Sequence, residues 1–117
     1  MSKIFQRIDT VFVPTKDIEK SLNWYVEILG GIPDWKSERG EYQCVKFGDT
    51  SITLFLTNDQ NYFQPRRSSF NFYVPNAQIA YEYLRTNGVK VEEVKEYGAK
   101  YFQFFDVDGN CLEVCEY

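Results

Sequence analysis

Apolar side chains along this chain recur at two spacings, and stretches of the two kinds follow one another in a repeated order. Residues 5–13 alternate and carry β-branched side chains, which predicts a strand. Pro14-Thr15-Lys16-Asp17 closes it and offers Thr15 or Asp17 as a helix N-cap. Ile18, Leu22, Tyr25 and Leu29 then fall at helical intervals, and Gly30-Gly31 stops the run. Short strands are expected over residues 32–38, 41–47 and 51–57, with turns at Gly40 and Gly48-Asp49. Residues 58–67 are polar, contain Pro65 and read as a linker. The order then begins again. A strand over 68–74 meets Pro75-Asn76, a stop and a cap. A helix carries Ala77, Tyr81 and Leu84 and ends at Asn87-Gly88. Strands follow over 89–97, 100–105 and 110–116.

The pattern is βαβββ written twice, an α+β chain of two tandem modules at 4–57 and 68–117 within one domain of 117 residues. Gly30 and Gly88 correspond, as do Phe47 and Phe105, Asp17 and Asn76, and Thr53 and Glu113. A unit unable to bury its own apolar face implies that the two modules pair.

Period two also sorts the faces of the strands. Val11 and Val13 oppose Ile8, Thr10 and Phe12; Ile52, Leu54 and Leu56 oppose Ser51, Thr53, Phe55 and Thr57. In the second module Phe70, Phe72 and Val74 oppose Arg67, Ser69, Asn71 and Tyr73, while Leu112 and Val114 oppose Cys111, Glu113 and Cys115. The first member of each set is wholly apolar, and the helices are available to cover it. The second mixes hydroxyls, an amide, a carboxylate and rings, as small-molecule pockets do. Phe12, Phe55 and Tyr73 argue against a face that is merely wet. A dimer interface on the same face is compatible with a pocket.

Composition narrows the function classes. Aromatic residues make up 18% of the chain, enough to fill a core and also to wall a cavity for a flat ligand. A net charge of −4 without a basic run excludes a nucleic-acid backbone as partner. No apolar run approaches the ~20 residues of a membrane span. The first seven residues hold no signal-peptide core, so the expected location is the cytoplasm. Three cysteines fit reduced, buried thiols there. Cys111 and Cys115, four residues apart on one strand face, stand ~13 Å apart, too far for a disulfide or for sharing one metal ion. With no histidine, no Ser-His-Asp or Cys-His arrangement exists. Asp106-Val107-Asp108-Gly109-Asn110 resembles the start of a calcium loop, but the twelfth position is Tyr117 instead of Glu, so it reads as a hairpin turn. Arg66-Arg67 is either solvated linker or a contact for an anionic ligand at a cavity mouth.

The stretch from Asp17-Ile18-Glu19-Lys20-Ser21-Leu22-Asn23-Trp24-Tyr25 to Leu29-Gly30, then Asn87-Gly88-Val89, then Phe105 through Glu113, resembles the vicinal oxygen chelate superfamily. That group includes glyoxalase I, extradiol dioxygenases, fosfomycin-resistance transferases and bleomycin-resistance binding proteins. The resemblance implies a cupped, partly closed mixed sheet with helices on its outer face, and in many relatives a homodimer. It also implies metal-ligand positions on the first and fourth strands of each module, which fall on Thr10, Thr53, Ser69 and Glu113. Only Glu113 is a ligand-type side chain, and three hydroxyls with one carboxylate do not suit Zn²⁺, Ni²⁺ or Fe²⁺. The expectation is therefore no metal and no cofactor. The reading that follows is a small-molecule binding protein of the bleomycin-resistance type. Thr10, Thr53, Ser69, Asn71 and Glu113 are its expected polar contacts, and Phe12, Trp35, Tyr42, Phe55, Tyr73 and Phe102 its candidate walls. The alternative is a lyase or isomerase with Glu113 as general base or residual ligand.

Overall fold

The computed structural model describes residues 3–64 and 66–117; Met1, Ser2 and the linker's Pro65 lie outside them. The chain divides after Asn58 into two compact units, each with one α-helix and one four-stranded mixed sheet. The fold is α+β, a tandem of βαβββ modules.

In the first unit β1 (Thr10–Thr15), α1 (Ile18–Glu27), β2 (Ile32–Lys36), β3 (Tyr42–Phe47) and β4 (Thr50–Leu56) follow in turn. The sheet order is β1-β4-β3-β2, with β1 parallel to β4 and the other neighbours antiparallel. Asp17 caps α1, its carboxylate accepting from the Lys20 N–H at 3.1 Å. Tyr25 is fully buried beside Val13, Val45, Ile52 and Leu54 in the core. Burying each such side chain contributes about 1.5–3 kcal/mol.

The first strand differs from its expected span. It begins at Thr10, leaving Phe5 and Ile8 exposed, and it runs through Pro14 to Thr15. The reason is its place at the sheet edge: an edge strand tolerates a residue without an N–H. Leu56 departs too. It lies on the Leu54 side of β4 but is 48% exposed, at the end of the strand.

The second unit opens with a single 3₁₀ turn, Gln60–Phe63, capped by the Asp59 carboxylate, where the sequence predicts plain linker. It continues with β5 (Phe72–Tyr73), α2 (Ala77–Thr86), β6 (Lys95–Glu96), β7 (Lys100–Phe105) and β8 (Cys111–Glu116), in the sheet order β5-β8-β7-β6. Two expected strands are thus cut to two residues each, and residues 89–94 keep one isolated bridge, Val91 to Phe104. Both short strands lie at sheet edges, where only one side is paired. Asn76 caps α2 through the Ile79 N–H, and the Glu116 carboxylate accepts from the Ala77 N–H at 2.7 Å, fastening the helix start to β8.

Residues 106–110 form the tight turn between β7 and β8. The Asp106 carboxylate accepts from the backbone N–H groups of Asp108 and Asn110 and from Asn110 Nδ2, each at 2.9 Å. Gly109 supplies the positive φ of +83° that the turn requires. The carboxylate that would begin a calcium loop is spent on its own turn. No helix among the described residues is long and apolar enough to cross a membrane.

Candidate functional site

Each sheet has a helix-covered face and a second, mixed face, and register decides which side chains share the second. In the first unit Phe12 and Cys44 both lie opposite Thr53, and Tyr42 lies opposite Phe55. Opposed residues point to one side of a sheet. Thr10 Oγ1 donates to the Ser51 carbonyl at 3.1 Å, so at its 2.8 Å contact with Thr53 Oγ1 it is the acceptor. Two expected site residues are therefore brought together, and Thr53 is 1% exposed. Beside them stand three rings. Phe12 meets Tyr42 edge-on at 6.5 Å and Phe55 at 6.4 Å between centroids. Phe12 is nevertheless 61% exposed, and Tyr42 and Trp35 are exposed as well.

In the second unit Gln103 lies opposite Glu113, and Tyr101 and Tyr73 both lie opposite Cys115. Asn71 Nδ2 donates to Glu113 Oε2 at 3.4 Å, joining two more of the expected residues. Glu113 is half-buried, while its strand neighbours Leu112 and Val114 are buried on the helix side. Tyr73 is exposed and packs edge-on against Tyr117 at 5.3 Å. Ser69 is exposed and precedes β5 instead of lying in it, so no strand directs its hydroxyl. Phe102 is on the other side: it is 1% exposed and meets Tyr81 of α2 at 5.6 Å with the ring planes at 89°.

An open cavity of about 340 Å³ adjoins β7, bordered by Arg67, Glu92, Lys95, Tyr101, Phe102 and Gln103, so Phe102 reaches its edge while its ring packs on α2. The sequence reading did not single out Tyr101 and Gln103. Their signal was the alternation of Tyr101 and Gln103 with Phe102 and Phe104, which sets one pair against the other.

Cys111 shares the Glu113 face, and burial pushes its thiol above the usual cysteine value. The charges of Glu92 and Glu113 push the same way; a backbone hydrogen bond at Ser68 and the charge of Arg67 oppose them. The thiolate is the nucleophile, and a raised value leaves less of it at a given pH. Cys111 is expected to react with iodoacetamide more slowly than free cysteine at pH ~8, catching up only as the pH rises further. Peptide mass mapping of a timed alkylation checks this; a rate equal to free cysteine across the pH range would refute it.

The donor set does not fit a divalent metal. Thr10 and Thr53 are neutral and bonded to each other, and the chain has no histidine. No group of three or more His, Cys, Asp or Glu residues stands together among the described residues. Zinc, nickel and iron need imidazole, thiolate or several carboxylates.

A family model described as the Glyoxalase/Bleomycin resistance protein/Dioxygenase superfamily matches residues 7–114. An antibiotic binding protein from a Streptomyces species has a TM-score of 0.81 at 23% identity, with 98% of each chain covered. A lactoylglutathione lyase from Agrobacterium tumefaciens has a TM-score of 0.78 at 21% identity, with 97% of this chain and 96% of that one covered. A glyoxalase family protein from Enterococcus faecalis has a TM-score of 0.77 at 24% identity, with 97% of this chain and 100% of that one covered. Likeness at these identities is likeness of fold. No curated protein sequence matches the chain at a significant level.

Proposed function

The chain belongs to the glyoxalase/bleomycin resistance protein/dioxygenase superfamily, and from that premise we propose that it binds a planar or aromatic small molecule without a resident metal. The observation that carries this reading is the ring cluster of exposed Phe12 and Tyr42 with half-buried Phe55, beside the Thr10–Thr53 hydroxyl pair. Rings held edge-on yet open to solvent offer apolar area at little further ordering cost. Trp35 extends that wall. The mixed face of the second unit carries its own set: Tyr73 as a ring, and Glu113 with Asn71 as a polar contact for a ligand N–H or cation. The antibiotic binding protein among the structural neighbours is consistent with such a role. The same proposal has the protein act in the cytoplasm as a homodimer, its exposed rings partly covered by a second copy.

Isothermal titration with a naphthoate, an anthraquinone sulfonate and bleomycin tests the reading. At least one is expected to bind saturably. Phe12→Ala should weaken it about tenfold or more, a loss of roughly 1.4 kcal/mol. Because Phe12 is 61% exposed, the substitution should leave the unfolding midpoint nearly unchanged. Saturable binding by none of the three, or undiminished binding in the variant, would count against the proposal.

A second reading is favoured by one contact. Asn71 engages Glu113 Oε2 and orients the carboxylate, leaving Oε1 without a partner among the described residues. A positioned half-buried carboxylate suits proton abstraction from a substrate C–H, the chemistry of a lyase or isomerase. Glu113→Gln separates the readings: it should abolish turnover in an enzyme, about a hundredfold or more, but only weaken binding in a sequestering protein. Turnover that survives the change would eliminate Glu113 as a base.

A further inference from the structure

A second cavity, of about 460 Å³, opens on the opposite side of the first sheet, where the start of α1 faces the ends of β3 and β4. Its volume lies within the roughly 300–1,000 Å³ of small-molecule pockets. Lys16, Glu19, Leu22, Lys36, Gln43 and Leu56 line it.

Gln43 is the built element. It is 4% exposed, and its Nε2 donates to the carbonyls of Asp34, Trp35 and Cys44 at 3.4, 3.3 and 3.0 Å. Those contacts fix which end of the amide is nitrogen. Every side-chain hydrogen bond of Gln43 is made by its nitrogen, which leaves the oxygen of this cavity-lining residue without a partner among the described residues. Among the described residues only Ser21 Oγ is both buried and unpartnered, so the Gln43 oxygen opens to the cavity, where a donor from a bound molecule would take the place of water.

Strand register adds a cation. Pro33 lies opposite Val45 and Lys36 opposite Gln43, three steps along β2 against two along β3. Without that bulge Trp35 would face Gln43. With it, Lys36 shares the face of Gln43. Lys36 and Glu19 make no ion pair with each other or with any other described residue. Leu56 supplies an apolar floor. It is 48% exposed on the side where Leu54 is fully buried, at the end of β4.

We propose that this cavity binds a free aliphatic α-amino acid of about leucine's size. Its carboxylate meets the ammonium groups of Lys36 and Lys16. Its own ammonium donates to Gln43 Oε1 and faces Glu19. Its side chain covers Leu22 and Leu56. The site lies on the other face from the Thr10–Thr53 pair, so it stands or falls separately from the ring-lined site.

Titration of ¹⁵N-labelled protein with L-leucine tests this, with 4-methylpentanoate (no ammonium) and leucinamide (no carboxylate) as comparisons. Saturable shifts are expected at the amides of residues 16–22, 36–43 and 56. Each comparison ligand, lacking one charged hydrogen-bonding group, should bind about tenfold more weakly. Gln43→Leu should weaken leucine by a similar factor. Should that variant not fold, the exposed Lys36→Gln change carries the same expectation. No shifts at those amides, equal affinity for either comparison ligand, or unaltered affinity in the folded variants would overturn the proposal.

Discussion

Replacing Phe102 with alanine is expected to destabilise the protein by about 3–5 kcal/mol. The ring is 1% exposed and packs between Tyr81 of α2 and Phe104, the latter at 6.3 Å. Its removal forfeits the transfer free energy of the ring and leaves a cavity that the helix and sheet fill only in part. Urea unfolding followed by circular dichroism measures the loss. The prediction matters for the site because the sequence reading placed Phe102 among the ligand walls. A wall residue would lose ligand affinity while the fold held. Phe102 also borders the cavity at β7, so a loss below about 1 kcal/mol, with ligand binding impaired, would make the wall its main role.

Asp106→Ala is expected to cost about 2–4 kcal/mol. One carboxylate accepts three hydrogen bonds, at 2.9 Å each, from the turn it begins. Alanine strands two backbone donors and the Asn110 amide in a partly buried place. Asparagine keeps one acceptor oxygen and should recover part of the loss. The same turn sets the register in which Gln103 opposes Glu113, so the alanine change should also broaden the amide resonances of β7 and β8. An unfolding midpoint within error of the unaltered protein would mean that the turn holds without its carboxylate.

The two helices were legible because their signals are local. Asp17 and Asn76 cap them, and the apolar stripe behind each cap has a period that only a helix satisfies. The tandem βαβββ order was legible for the same reason. Strand extent was not. Residues 5–9 and 89–94 have the composition of strands but lack partners along most of their length, and a strand without a partner leaves its backbone groups to water. Pro14 read as a stop, yet at the edge of a sheet its missing N–H costs nothing.

The candidate site divides along the same line. Alternation placed Thr10 with Thr53, and Glu113 away from Leu112 and Val114, because side-chain direction along one strand is a property of that strand. It did not say that Phe102 faces a helix, that Tyr101 and Gln103 border a cavity, or that a bulge carries Lys36 round to Gln43. Those facts depend on which strand lies alongside and in what register. By itself, then, the sequence determined the elements, their order, their caps and the absence of any imidazole to hold a transition metal. Tertiary structure decided which side chains meet, since register and edge position arise from pairing between strands, as Lys36 pairs with Gln43 and Thr10 with Ser51 some forty residues on, and no pattern within one strand encodes them.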